Sequence, residues 1–388
     1  MNIAILGGGI GALSTAITLK QAGFDVEVYE RHSGPAEIGA GIVCWPNASF
    51  VLEQLGVLDD VVEVSGSLNF MNRFSSSGES IGSLDINELS RLMNYPSYSI
   101  IRKNLMAILT QRTLVLDIPI HYQHDVMSLS GFNDKASVQF SNGITIDPEI
   151  IIGADGRMNS LARKYVNQDN KPIYQGFINW VGVFESEIDI FSDISVADYW
   201  GTGERFGIVP VSTTKAYWAG GAVAEKIADI DPKMYKAELN TLFADWPSPI
   251  SKIINDTPLS RINKIYIHDH DPIDTWHKNN VVLLGDSAHS PLPTSGQGAC
   301  QALEDAWHFT HCLKENGEDL SKVFKQFTSL RKEKTSGITM VGRQLASSIF
   351  NRDEVFCKQR DLASKNTDYK MAAMNMAKGW ASGLPIGA

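Results

Sequence analysis

The chain has 388 residues, 43% hydrophobic and 20% charged, a globular composition that excludes disorder as its main theme and gives length for two domains around a shared ligand. Its formal net charge is −10 and no Lys/Arg-rich run occurs, so polyphosphate is repelled and nucleic acid is not expected as a partner. Cys44, Cys300, Cys312 and Cys357 lie far apart without a Cys-x-x-Cys pair, which speaks against a zinc site or disulfide framework and for a reducing compartment. No run of about 18 apolar residues and no basic leader precedes the first strand, so a cytoplasmic protein without membrane attachment is expected.

In chain order, Ile3 to Leu6 reads as a short buried strand, Ile10 to Gln21 as a helix and Phe24 to Tyr29 as a second strand, together a βαβ unit. Asn104 to Thr113 is helical by pattern. Ala136 to Phe140 and Thr145 to Ile152 read as strands about a turn at Ser141-Asn142-Gly143. From about Ile173 to Ile267 aromatic and β-branched residues with regular turns predict an antiparallel sheet. Val281 to Leu284 returns to a buried strand, and Gln301 to about Lys378 is mostly helical.

The densest signal is Gly7-Gly8-Gly9-Ile10-Gly11-Ala12, a Gly-x-Gly-x-x-Ala sequence placed between strand and helix. Gly7 permits a tight turn, Gly9 lets the backbone approach a pyrophosphate, and Ala12 in place of a third glycine still permits close helix–strand packing, with Gly11 counted among the cofactor residues. The helix N-terminus then stabilises phosphate charge. Glu30 closes the second strand at about the twenty-residue spacing where a carboxylate binds both ribose hydroxyls, which disfavours a 2′-phosphate and leaves FAD or NAD. Arg31 is grouped with it as a cofactor residue.

Two later motifs decide between them. Gly153-Ala154-Asp155-Gly156 follows one buried strand. Gly285-Asp286-Ser287-Ala288-His289 follows another and runs through Pro293 to Gly296-Gln297-Gly298-Ala299. With the first glycine motif, their order and spacing resemble the group A flavin monooxygenases over nearly the whole chain. The resemblance implies the para-hydroxybenzoate hydroxylase fold: an α/β, Rossmann-like FAD-binding domain of the GR2 type, an inserted antiparallel-sheet substrate domain and a helical C-terminal region. Segments 1–70, 99–170 and 270–345 would form the first, 71–98 and 171–269 the second, and 346–388 the third.

By the same resemblance Asp286 binds the ribityl chain, and Gly296-Gln297-Gly298 faces the flavin pyrimidine with its backbone N–H groups. Asp155-Gly156 serves FAD and nicotinamide pyrophosphates, and Arg102 reaches the FAD phosphates. FAD is expected to be tight and non-covalent, although Cys44 falls in a segment that family members place near the isoalloxazine. NADH or NADPH would bind transiently, because no second fingerprint exists. The implied chemistry is flavin reduction, capture of O₂ as a flavin C4a-hydroperoxide and transfer of one oxygen atom, with no metal.

The stretch Tyr174 to Trp180, with Arg205, Pro210-Val211-Ser212, Tyr217 and His268-Asp269, resembles the FAD-dependent urate hydroxylases, which implies that Arg205 and Tyr217 serve the substrate. A guanidinium suits an anionic planar ring, and a tyrosine hydroxyl suits a ring carbonyl. Urate-like, salicylate-like or hydroxynicotinate-like substrates follow. The same fold also supports epoxidation, tetracycline-type drug inactivation, or a flavin module that senses redox state without turnover. A monomer or homodimer is expected.

Overall fold

The structure is a computed structural model describing residues 1–35, 40–132, 135–228, 231–317 and 319–387. Strand Asn2–Leu6 lies inside a six-stranded sheet, with Asp25–Tyr29 parallel on one side and Ile150–Gly153 parallel on the other. Ile120–His121 and Val281–Leu283 extend it in parallel, and His277–Lys278 closes one edge antiparallel. Both faces of a parallel sheet must be covered, which is why these strands read as continuous apolar runs. Helices Ile10–Gln21 and Gly298–Asn316 pack together here, and Gly11 permits it: a Cβ there would stand 3.2 Å from Ala302 Cβ and Leu284 Cδ2.

A second sheet has seven strands in the order Ile262–Asp269, Ile173–Glu185, Lys215–Val223, Glu204–Pro210, Val196–Trp200, Phe70–Ser75 and Ser80–Asp85. Its pairings are antiparallel except one. The hairpin of the last two strands arrives from upstream in sequence and joins Val196–Trp200 in parallel, so the sheet is mixed where the sequence pattern suggested uniform antiparallel pairing. Alternation then gives this sheet two faces. The outer face buries Trp180, Phe184, Phe206 and Trp218 under helices Tyr235–Leu242 and Ile250–Asp256, two short helices that the run of strand-like residues concealed. The inner face turns toward the first sheet.

The expected strand from Thr145 to Ile152 is in fact two. Thr145–Ile146 belongs to a three-stranded sheet with Lys135–Phe140 and Val126–Phe132, whereas Ile150–Gly153 belongs to the six-stranded one. Pro148 lies at the junction, and a residue without an N–H cannot continue a ladder.

Helix Leu320–Ile349 links the two halves. It begins against the nucleotide side, passes Thr294 and Ser295 at Gly342, and ends with Ala346, Ile349 and Phe350 on the inner face of the seven-stranded sheet. Helices Glu354–Lys365 and Tyr369–Ala381 follow, and Tyr369 fills the space left by the missing side chain of Gly82. Among the described residues, no helix is long and apolar enough to cross a membrane.

Gly153 ends a fully buried strand where a Cβ would overlap Ala162 of the neighbouring helix. Gly153→Ala is therefore expected to destabilise the fold by about 1–3 kcal/mol through overpacking, read as a lower midpoint in urea unfolding.

Candidate active site

The three glycine-bearing motifs converge at one end of the six-stranded sheet. Gly7 has φ +110° and its N–H donates to Tyr29 O at 2.8 Å; a Cβ there would overlap Ala154 O. Only glycine lets the first turn lie directly on the Gly153–Gly156 turn. Gly9 caps helix Ile10–Gln21 without a side-chain hydrogen bond, and no acid occupies the first turn. The first intrahelical bond runs from Leu13 N to Gly9 O, so the N–H groups of Ile10, Gly11 and Ala12 have no intrahelical acceptor, and Gly9 and Gly11 are only half-buried.

Glu30 follows the adjacent strand with a largely buried side chain. Its Oε2 accepts from Gly8 N at 2.6 Å, and its Oε1 meets His32 N at 2.8 Å and His32 Nδ1 at 2.6 Å. The carboxylate is thus pinned beside the glycine turn. Arg31, next in sequence, is exposed.

Arg102 begins helix Arg102–Val115 and is drawn toward Asp286. Burial lowers its pKa from the ordinary value and nearby Arg157 lowers it further, while Asp286 acts in the opposite sense. Arg157 Nη1 stands 3.6 Å from Asp286 Oδ2. Arg157 was not singled out by sequence reasoning, although its place directly after Asp155-Gly156 was the available signal. Gly156 has φ +82° with open space where a Cβ would be. The Asp155 carboxylate itself turns inward, accepting from Ser160 Oγ at 2.5 Å and Ala162 N at 3.1 Å. It shapes the turn, so the cleft is met by the backbone of this motif.

The last motif is held from behind. Gly285 N donates to Asp305 Oδ2 at 2.8 Å, and His289 Nε2 meets the same oxygen at 2.6 Å, which gives His289 a structural partner. Pro293 and Gly296 are exposed, and Gly298 and Ala299 are half-buried at the start of helix Gly298–Asn316, which has neither a side-chain cap nor an acid in its first turn. The Gln297 side chain points inward and its Oε1 accepts from Asn47 Nδ2 and Gln301 Nε2, both at 2.9 Å, so the accessible backbone of this turn is that of Gly296 and Gly298. Trp45 Nε1 donates to Gly296 O at 3.1 Å, fixing the turn from the opposite wall. Cys44 is fully buried and burial pushes its thiol up to about 12, which removes it as a nucleophile for covalent flavin attachment.

Beyond this turn lies the inner face of the seven-stranded sheet. Strand register arranges three rows across it: Asn179, Gly221, Arg205, Trp200; then Val181, Ala219, Gly207, Asp198, Arg73; then Val183, Tyr217, Val209. Gly207 and Ala219 leave a shallow floor in the middle row. Tyr217 lies at the end nearest the nucleotide, its ring lying where a side chain at Gly41 would be, and among the described residues its hydroxyl has no hydrogen-bond partner. Arg205 lies on the far side of the floor, four residues or roughly 13 Å along its strand from Val209, the neighbour of Tyr217. The structure thus places both predicted residues on one face, with small residues between them. Gly41 and Asp198 were missed: neither stands in a motif, and strand pairing brings Asp198 to the site while packing between two sheets brings Gly41 against Tyr217.

A cleft from an anion-binding glycine turn to a polar-and-apolar sheet face, with a helix N-terminus at its waist, defines an FAD-dependent monooxygenase of the para-hydroxybenzoate hydroxylase fold. The pattern of the FAD binding domain family matches residues 1–333, and the chain belongs to that family. It is 31% identical over 336 residues to the aurachin C monooxygenase/isomerase of Stigmatella aurantiaca, covering 87% of this chain and 86% of that protein. It is 28% identical over 348 residues to the FAD-dependent urate hydroxylase of Mycolicibacterium vanbaalenii, covering 89% and 87%. The crystal structure of Klebsiella pneumoniae HpxO with FAD and uric acid superposes with TM-score 0.90 at 26% identity, covering 99% of this chain and 97% of that one.

The chain's own cleft fits FAD. Gly9 and Gly156 have no atom within 4 Å of where a Cβ would be, so both turns present bare backbone to open space, and two uncapped helix N-termini face it. Gly9→Val fills that space. Its affinity for FAD is expected to fall at least about tenfold while the far-UV circular dichroism of the apoprotein is unchanged, measured by fluorescence titration with FAD.

Burial pushes the imidazole of His308, on the buried side of helix Gly298–Asn316, down to about 3, with Arg331 contributing. The unfolded chain takes up this proton near pH 6.5 whereas the folded chain resists it, so stability falls as pH drops from about 6.5 toward 3. Urea midpoints at pH 7 and pH 5 are expected to differ less in His308→Gln than in the parent.

Proposed function

We propose that the enzyme hydroxylates a small aromatic or heteroaromatic ring, urate-like, salicylate-like or hydroxynicotinate-like, held over Gly207 and Ala219 between Tyr217 and Arg205. The row arrangement of the inner face supports this reading, because it sets two polar groups at the ends of a floor of small residues. The names of the relatives support the ring class: urate hydroxylases, 6-hydroxynicotinate 3-monooxygenases and a 3-amino-4-hydroxybenzoate 2-monooxygenase.

When bound, FAD supplies the reduction by NAD(P)H and the activation of O₂ that inserts one oxygen atom. In the cofactor half, the backbone of Gly7 to Ala12 would take the pyrophosphate and Glu30 the ribose. Arg102 would take the phosphates, Asp286 the ribityl hydroxyls, and the Gly296 to Ala299 backbone the pyrimidine edge. In the substrate half, Arg205 would donate to an oxygen of the ring substituent. Burial pushes the Tyr217 hydroxyl well above its ordinary value, with the Cys44 and Cys300 thiols adding to the effect. A protonated Tyr217 would orient a ring oxygen by donating to it. Val181, Val183 and Val209, packed about Tyr217, would keep water from that end of the ring.

The test follows NADH and NADPH oxidation by the yellow holoenzyme with urate, salicylate, 6-hydroxynicotinate and a tetracycline, with products weighed by mass spectrometry. One ring compound is expected to accelerate oxidation and gain a single oxygen atom. Arg205→Ala is expected to raise its KM at least about tenfold while FAD stays bound. Acceleration by the tetracycline alone, or no mass gain with any compound, would refute the proposal.

A further inference from the structure

Arg205 does not stand alone on its strand. Its Nε donates to Asp198 Oδ1 at 2.6 Å, and among the described residues its two Nη groups make no hydrogen bond with protein. Asp198 is only 3% exposed, and its Oδ2 accepts the indole N–H of Trp200 at 2.8 Å. Trp200 lies against two guanidiniums, Arg73 at 5.1 Å and Arg360 at 5.4 Å from the ring. Arg360 is itself fixed: it donates to Ser348 O and Ile349 O at 3.3 Å, to Gly201 O at 3.1 Å and to Asp361 Oδ1 at 2.8 Å. Arg73 donates to the Tyr369 hydroxyl at 3.3 Å.

A pair that merely neutralised a buried carboxylate would use the whole guanidinium fork. Arg343 does so on the same protein, meeting both oxygens of Asp269 through Nε and Nη2 at 2.6 and 3.0 Å. Arg205 instead binds Asp198 by Nε alone and keeps its fork open, with its side chain 28% exposed. That geometry orients a donor for something else.

We propose that Asp198 is a positioning residue for the reaction: with Trp200 it aims the Arg205 fork at the substrate, and Arg360 ties that aim to the C-terminal helices. The proposal rests on the reading that Arg205 meets the substrate. Once Asp198 is lost, the guanidinium keeps its charge but not its direction, so ligand affinity falls while the cofactor half is untouched.

The test titrates holoenzyme with urate and with salicylate, reading Kd from the perturbed visible bands of the flavin. The proteins are the parent, Asp198→Asn, Trp200→Phe, Arg205→Ala and the Asp198→Asn/Arg205→Ala double variant, with FAD affinity and Tm measured for each. Asp198→Asn and Arg205→Ala are each expected to weaken the better ligand about tenfold with FAD affinity unchanged. The double variant should be no weaker than Arg205→Ala alone. Trp200→Phe, which keeps an aromatic ring and loses the N–H, should weaken binding in the same direction by less. If Asp198→Asn binds as the parent does, or if the two losses multiply in the double variant, Asp198 does not act through Arg205. Should Asp198→Asn fail to fold, parent-like affinity in Trp200→Phe overturns the proposal in its place. If Arg205→Ala binds like the parent, or the parent binds neither acid, the Arg205 reading fails on its own account.

Discussion

Arg331, fully buried, donates from Nε to Asp305 Oδ1 at 2.7 Å, from Nη1 to Glu304 Oε2 at 2.5 Å and from Nη2 to Gln301 Oε1 at 2.7 Å. Lys334 adds a second cation at 2.9 Å from Glu304. Two carboxylates and two cations therefore balance inside the protein, where an unmatched charge would cost several kcal/mol. Burial alone would push Asp305 up, yet His289 and Arg331 hold it down to about 2; Arg331 and Lys334 likewise hold Glu304 low. This network stands behind the cofactor turn. Asp305 fixes the Gly285 N–H, and Glu304 with Gln301 fixes Asn47 and Gln297. The glycines that border the cleft are permissive by nature, so their definition comes from the charges packed behind them.

The two halves of the cleft use opposite strategies. At the nucleotide end the groups on offer are chiefly backbone, exposed by glycine and by helix ends that carry no cap, joined by the side chains of Glu30, Arg102 and Asp286. At the far end they are side chains on a pleated face, where pairing across strands decides which ones share a row. Tyr217 belongs to both, since its ring rests on Gly41 of the strand that enters the cofactor half. A substrate that touches Tyr217 is thereby referenced to the backbone that borders the flavin.

That contrast explains what could be read from the sequence. Nucleotide binding followed from local features, a glycine whose φ or close approach leaves no alternative placed between a buried strand and a helix, whereas the choice of FAD and the fold class came from the likeness of all three motifs to a known family. Gly7 against Ala154 is such a glycine. Thr145 to Ile152 was misread as one strand because period-two alternation does not show which sheet a strand joins, and Pro148 is the sole local sign of the break. The helices Tyr235–Leu242 and Ile250–Asp256 were hidden for a similar reason, being short and aromatic-flanked. Arg205 and Tyr217 were singled out through family likeness alone. Asp198, Arg73 and Arg360, distant in sequence and outside any motif, meet only after the seven-stranded sheet and the last helices have assembled, so no spacing announces them.

Lys334 also donates to Trp380 O at 2.6 Å and to Ser382 O at 2.9 Å, while strand Asn2–Leu6 waits for partners as distant as Ile150–Gly153. On a ribosome that adds roughly 5–20 residues per second, the first glycine turn emerges early and Ser382 late. The nascent enzyme therefore spends most of its synthesis with the nucleotide cleft half-built and its parallel strand edges bare. Firm capture of FAD is therefore tied to the folding of segments far apart in the chain and not to its first βαβ unit alone.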